Sequence, residues 1–316
     1  MRHILKLLMP VALVIATGET IAVSAQEASS ADAKETTETK PSKWKKGMFS
    51  SFTFNQIALK NWAAGGKNSF SGTLLASGYA NYKSERATWD NLLELGYGVM
   101  RYKGEDYQKS EDKIHLSSVY GYDAAKQKLF YSGSFDFKSQ FGKGYKYGAD
   151  TTVVSKFMSP GYFNIALGLL YKPNDRFSIS LSPVAGKITV VSDTTLSEIY
   201  GVGAGEKSRG EFGASAKVLY NHPNLVKNVD YYFRGDFFTN WKEHPEHIDV
   251  DIETGFNLKV NDWLTALIKV NLLFDDDIKY KEDYIDAEGN TATRERGARL
   301  QCKELFGFGL SFKIDK

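Results

Sequence analysis

From Leu300 to Ile314 every second residue takes the same side: Leu300, Cys302, Glu304, Phe306, Phe308, Leu310, Phe312 and Ile314. Between them stand Gln301, Lys303, Leu305, Gly307, Gly309, Ser311 and Lys313. A strand sends successive side chains to opposite faces, so this segment has one greasy side and one that is mostly small or polar. The pattern recurs along the chain. Twelve alternating segments run roughly over 48–59, 69–82, 87–102, 112–124, 128–141, 161–172, 175–186, 209–221, 228–241, 247–260, 263–275 and 298–314. In the seventh, Phe177, Ile179, Leu181 and Pro183 alternate with Ser178, Ser180 and Ser182. Period-two patterning on this scale restricts the chain to an all-β fold.

The start of the chain places those strands outside the cytoplasm. Residues 1–25 read as a secretory signal peptide: Arg2 and Lys6, an apolar run from Leu7 to Ala16, then Val23-Ser24-Ala25 as a small-residue cleavage site. Residues 26–43 are mostly Glu, Ala, Ser, Thr and Lys without apolar periodicity, a disordered periplasmic tail. Residues 44–316 form one domain. No stretch in it approaches the roughly 18 apolar residues of a helical span. The single Cys302 excludes an intramolecular disulfide. The formal charge of +2 falls to +1 when Arg2, Lys6 and Glu19 leave with the leader, which argues against nucleic acid as a partner.

The connections refine the fold class. After even-numbered segments they are short: Lys83 to Arg86, Ala125 to Gln127, Pro173-Asn174, His222 to Lys227, Asn261-Asp262. After odd-numbered segments they lengthen, notably Gly142 to Pro160, Lys187 to Ser208 and Asp276 to Gly297. An even strand count with alternating short and long connections predicts a transmembrane antiparallel up-and-down β-barrel of about twelve strands, with short periplasmic turns and long outer loops. Aromatic residues gather at the strand ends. Outward Tyr82, Tyr122, Tyr171 and Tyr220 fall at the turn end with Trp89 and Trp263, and Trp62 and Trp241 lie near the outer ends. Amphipathic rings at both headgroup levels fit a membrane barrel better than a soluble sandwich. Trp263 shares the parity of Lys269, which leaves its face open.

The opposite parity fills the barrel. It carries Asp90, Glu94, Asp136, Asp230, Asp236, Asp249, Asp251 and Glu253 against Lys113, Lys138, Lys217, Arg234, Lys259, Lys269 and Lys303. Near balance of sign does not suit a strongly ion-selective pore. It suits a paired network that plugs the lumen, or a narrow mixed-charge channel.

Catalytic and metal constellations are weak. His115 and Ser117 both point inward, whereas a lipid hydrolase needs its nucleophile at the lipid surface. His244-Pro245-Glu246-His247 with Asp249 holds potential metal ligands close in sequence, but Pro245 breaks any helical register that would align the histidines, so a solvated loop is expected. Asp275-Asp276-Asp277 with Asp283, Asp286 and Glu288 is an acidic outer loop without the spacing of a calcium loop. Gly201 to Gly205 lacks the following helix of a nucleotide-binding turn. Cys302 is an inert thiol near the outer rim. No cofactor is expected, and no enzyme.

Several motifs resemble a known family. Asn61-Trp62-Ala63-Ala64-Gly65-Gly66, Gln140-Phe141-Gly142-Lys143-Gly144-Tyr145, Ser159-Pro160-Gly161-Tyr162, Ser182-Pro183 and Asp275-Asp276-Asp277 are similar to hallmarks of domain-of-unknown-function family 3078, over roughly Trp44 to Phe312. The resemblance implies an outer-membrane β-barrel of a Bacteroidota-type, Gram-negative bacterium, and no biochemical activity. Asn61, Trp62, Gly65, Gly66, Pro160 and Asp275 to Asp277 are then outer-loop elements. Pro160-Gly161 is expected to fold its loop inward as a constriction. The expected partners are outer-membrane lipids, the barrel-assembly machinery and, in one reading, an envelope protein. The expected function is a narrow channel for small polar solutes. The alternatives are a non-conducting accessory barrel that docks an export or uptake machine, and a surface lipid-acting enzyme.

Overall fold

The computed structural model describes residues 42–59, 67–125, 128–147, 151–285 and 291–315. The leader, most of the tail, and Asn61, Trp62, Gly65 and Gly66 lie outside the described residues. The described residues hold sixteen strands, and twelve of them close into one antiparallel ring: β1 (Trp44–Ile57), β2 (Ser69–Lys83), β3 (Ala87–Tyr102), β4 (Gln108–Asp123), β5 (Leu129–Ser139), β8 (Gly161–Tyr171), β9 (Phe177–Val190), β10 (Ser208–Val226), β11 (Val229–Asn240), β12 (Asp249–Lys259), β13 (Leu264–Phe274) and β16 (Gln301–Asp315). The other four make two hairpins in long connections, β6 (Gly144–Lys146) with β7 (Thr152–Ser155), and β14 (Lys279–Ile285) with β15 (Thr291–Ala298). The ring closes where Ser51 of β1 faces Ser311 of β16, so every strand of the barrel has two paired neighbours and no edge is left.

Each of the twelve expected segments is a barrel strand, and the differences lie at strand ends. The first strand starts at Trp44 rather than near 48. The tenth named strand runs through Pro223 to Val226, with a register irregularity after His222, so its turn shrinks to Lys227-Asn228. The connections at 142–160 and 276–297 each fold part of their length into a hairpin.

The most consequential difference is in β9, which continues to Val190 instead of ending near 186. A β-bulge sits between the Leu167–Val184 and Leu169–Leu181 pairs, and the extra residue exchanges the two faces. Before it, Ser178, Ser180 and Ser182 are buried and Leu181 is exposed; after it, Ala185, Lys187 and Thr189 are buried and Ile188 is exposed. Gly168 lies opposite the bulge, where any Cβ would collide with the Leu181 carbonyl oxygen, so the bulge and this glycine require one another.

Large apolar side chains stand exposed on the outer face all round the ring, including Phe52, Leu74, Leu93, Leu167, Leu181, Phe306, Phe308 and Leu310. In water such a belt would drive aggregation; in a bilayer it meets hydrocarbon. No helix among the described residues is long and apolar enough to cross a membrane. At the turn end, Trp44 packs 5.3 Å from Tyr82 and 5.9 Å from Trp89, and Tyr220 lies 6.0 Å from Tyr231. Tyr122 and Tyr171 are exposed at the same level, and exposed Trp263 lies in the turn before β13. Trp241 meets Phe212 edge-on at 5.5 Å at the opposite end.

A charge at Leu167, midway along β8 on the outer face, should destabilise the barrel. Leu167→Arg is expected to cost about 2–4 kcal/mol if it lies near the bilayer midplane, read from urea unfolding in lipid vesicles. An unchanged midpoint would contradict the face assignment.

Candidate functional site

Inward side chains meet across the lumen. Strands β4 and β12 lie six places apart in the ring of twelve, and so do β3 and β11. Lys113 of β4 nevertheless reaches Glu253 of β12 at 2.6 Å and Glu94 of β3 at 2.8 Å. Arg234 of β11 reaches Glu94 from the other wall, with contacts of 2.8 and 3.3 Å. His115 sits between them, 1% exposed, with Nδ1 3.1 Å from Glu94. Glu253 also receives Lys269 at 3.2 Å and the Asn271 amide at 3.1 Å. Two carboxylates on opposite walls thus share cations from both.

A second tier lies beside the first. Lys138 of β5 crosses to Asp236 of β11 at 2.9 Å and Asp251 of β12 at 2.8 Å. Lys217 of β10 reaches Asp136 of β5 at 2.6 Å and Ser117 at 3.2 Å. Beyond it, Lys187 of β9 binds Asp249 at 2.6 Å and Asp275 at 3.0 Å. The pairs tie β3, β4 and β5 to β10, β11 and β12 and form a charged partition across the barrel.

Small residues on one side of that partition leave space. The wall formed by β5, β8, β9 and the facing part of β10 offers Ser134, Asn164, Ala166, Ser180, Ser182 and Ser215, too short to reach the charges opposite. The result is a cavity of about 120 Å³ in which these hydroxyls stand among Asp136, Lys138, Lys187 and Lys217 of the same strands, with Asp236, Asp251, Phe237, Phe238 and Phe274 completing the lining. It has room for several waters.

The long connections knit together on the end opposite the short turns. Asp112 accepts the Phe141 and Gly142 amides at 2.7 and 2.9 Å, fastening the connection after β5 to β4. Val191, Leu196 and Val202 of the next connection form a buried cluster with Val153 and Tyr200 packed on it. The Tyr200 hydroxyl donates to the Val154 carbonyl at 2.8 Å, and burial pushes its pKa up to about 12. Lys156 pairs with Asp193 at 2.7 Å; that contact and the Thr195 hydroxyl hold the Asp193 carboxyl down to about 2. Arg209 continues the chain of contacts, bonding the Gly201 carbonyl at 3.1 Å and Asp277 at 2.8 Å.

Most lumen residues expected from the sequence meet in this network: Glu94, Asp136, Lys138, Lys217, Arg234, Asp249, Asp251 and Glu253. Asp90 is also paired, with Lys172 at the turn end. Lys303 binds buried Glu111 at 2.5 Å. Lys259 does not join: it sits at the end of its strand, 56% exposed, and pairs with Asp262 of the turn at 3.0 Å. Asp275 lies in the connection after β13, as expected, but it is buried against Lys187 instead of facing solvent with the acidic cluster. Asp276 and Asp277 engage His247 and Arg209. Asp286 and Glu288 lie outside the described residues. The Pro160 carbonyl accepts from Ser139 at 3.0 Å, and the neighbouring Ser159 hydroxyl meets Ser192 at 2.9 Å, so this corner is bonded to its own strand and to the next connection. His115 contacts Glu94 and Ser117 accepts a hydrogen bond from Lys217, so both are engaged inside the lumen, away from the lipid-facing surface. Lys187 and Glu211 are buried lumenal residues that the sequence reading missed: Lys187 lies past the phase change of β9, whereas Glu211 lies inside its expected segment with the same inward parity as Lys217 and was legible there. Exposed Cys302 carries no such role.

An antiparallel ring with an apolar exterior and a charged, mutually paired interior defines a membrane-spanning β-barrel. A family model described as a protein of unknown function (DUF3078) matches residues 54–145, which include the Asn61 to Gly66 and Gln140 to Tyr145 motifs. No curated protein matches the chain. Among solved structures it is similar to the COG4313 outer membrane channel from Pseudomonas putida F1, at 11% identity and TM-score 0.38, over 91% of this chain and 100% of that one. It is also similar to the translocator domain of autotransporter NalP from Neisseria meningitidis, at 10% identity and TM-score 0.34, over 87% and 90% of the two chains. The P. putida toluene transporter TodX is similar at 8% identity and TM-score 0.27, over 86% and 89%.

Removing one member of the partition should expose the cost of the others. Arg234→Met leaves Glu94 with fewer cations in a desolvated lumen and is expected to destabilise by about 3–5 kcal/mol, read from urea midpoints. Adding Glu94→Gln should recover part of that loss; a silent Arg234→Met would remove the partition from the account of stability.

Proposed function

We propose that this chain is an outer-membrane barrel that passes small polar solutes along the serine-lined side of its lumen. The observation that carries the reading is the asymmetry of the interior. Charges on β3 to β5 and β10 to β12 pair across the middle, while Ser180, Ser182 and their small neighbours leave a space of about 120 Å³ bordered in part by hydroxyls beside them. A solute there meets apolar side chains, hydroxyls and charges of both signs that are paired with one another, which favours small neutral or zwitterionic molecules over ions of one charge.

Residues 1–25 act as an exported leader and 26–43 as a periplasmic tail. The host is a Gram-negative bacterium, of the Bacteroidota type on the motif resemblance. The partners are outer-membrane lipids and the barrel-assembly machinery, and the chain is not an enzyme. A second reading, a non-conducting barrel that docks an envelope protein, is favoured by the partition itself, since ion pairs across the lumen also obstruct it.

Single-channel recording on the refolded protein separates the two. The channel reading expects discrete steps, enlarged when residues 142–160 are removed and suppressed by Ser180→Trp, which fills the serine side. Silence in the intact and shortened proteins alike would reject conduction and favour the docking barrel.

A further inference from the structure

The connection from β11 to β12 folds two histidines onto each other. The His247 amide donates to the His244 carbonyl at 2.8 Å, closing a tight turn around Pro245 and Glu246, with His244 at φ +50°. The imidazole rings stack, their centroids 4.9 Å apart and their planes 17° from parallel. The helical register that Pro245 forbids is therefore not needed, because the turn itself brings the rings together. The loop is solvated, as expected, and the turn brings the two rings together on its surface.

The pairing has the features of a metal site. One donor atom each from His244, Glu246 and His247 lies within 4.8 Å of the others. His247 Nδ1 is 2.9 Å from Asp276 Oδ2, and His244 Nδ1 is 3.2 Å from Glu246 Oε1. Asp276 at Nδ1 of His247 leaves Nε2 of that ring as a lone-pair donor, the arrangement by which metal-binding histidines are oriented, while His244 Nδ1 and Glu246 Oε1 stand as a neighbouring pair of donors. Both rings border a cavity of about 60 Å³ shared with Arg209 and Asp277. Tetrahedral zinc needs donors about 3.3 Å apart, a closure that exposed side chains reach by rotation. Calcium and magnesium favour oxygen donors throughout, whereas two imidazoles and a carboxylate suit zinc, copper or nickel.

We propose that His244, Glu246 and His247 bind a divalent transition metal of the zinc class, with Asp276 as the positioning residue for His247. Asp276 follows β13, and its amide donates to Asp249 at 3.2 Å. Metal binding thus fastens the β11–β12 connection to the one after β13, through Asp276, whose neighbour Asp249 pairs with Lys187. This site does not depend on whether the lumen conducts.

The test is calorimetric titration of Zn²⁺ into the untagged full chain, refolded in detergent micelles and stripped with chelator, with the heat-modified gel shift as the check of folding. One zinc per chain is expected, with affinity falling at least about tenfold in His244→Ala and in His247→Ala, and about 10–100-fold in Asp276→Asn. Ca²⁺ in place of Zn²⁺ should give no comparable heat. Unchanged binding in the double histidine variant, or no saturation below about 1 mM Zn²⁺, would overturn the proposal. So would loss of binding only in Asp277→Asn, which would move the metal to the Glu211, Asp249 and Asp277 carboxylates.

Discussion

The interior depends on ion pairs made across the lumen between strands far apart in sequence. Lys113 and Glu253 meet at 2.6 Å from opposite sides of a twelve-strand ring. A ring of this size is wider than the small barrels whose side chains fill them. The long side chains of Lys113, Lys138 and Arg234 span the gap, and the acids opposite neutralise them. Each charge loses water on entering the lumen, and an unpaired one would cost several kcal/mol, so the arrangement holds only when both walls contribute. The reward is definition of shape: one pair of walls is tied, and the space left over falls on the serine side.

The exterior obeys the opposite rule. Leu74, Leu167 and Phe308 need hydrocarbon as much as Glu94 needs Arg234, and the period of two is what lets one strand serve both demands. Where that period is interrupted, the protein must repair it. The bulge at Ser182 to Ala185 does so in β9, and Gly168 in the neighbouring strand makes room for it. The exchange of faces brings Lys187 inside, beside Asp249 and Asp275. Without the bulge Lys187 would meet lipid.

The barrel was readable from alternation and from the rhythm of short and long connections, because each strand is specified locally by its two environments. Charges on regular strands, such as Asp136, Lys138, Arg234 and Glu253, were placed inward by parity alone. Parity fails at a bulge, and the serine run that makes β9 so regular ends just where its phase changes, so Lys187 looked like loop. The burial of Asp275 was hidden for a related reason. The aspartate follows the last residue of β13 and reads as part of an acidic loop, and only the position of Lys187 across the lumen brings it inside. Lys259 erred the other way: its parity is right, but it stands at a strand end where the adjacent Asp262 is nearer than any lumenal acid. The His244–His247 stack was hidden because a turn, unlike a helix, announces its side-chain geometry only weakly in sequence. Who pairs with whom across the lumen is set by the closed ring and has no local signature.

The most direct measurement is a double-mutant cycle on Lys113 and Glu253, using Lys113→Met, Glu253→Gln and the pair, with unfolding free energies measured in lipid vesicles. These residues are 140 positions apart and on opposite walls, so they interact only if the lumen is bridged. A bridged lumen predicts a favourable coupling of about 0.5–3 kcal/mol. Strictly additive effects would mean that the walls stand apart, and that the barrel encloses an open pore instead of a partitioned lumen.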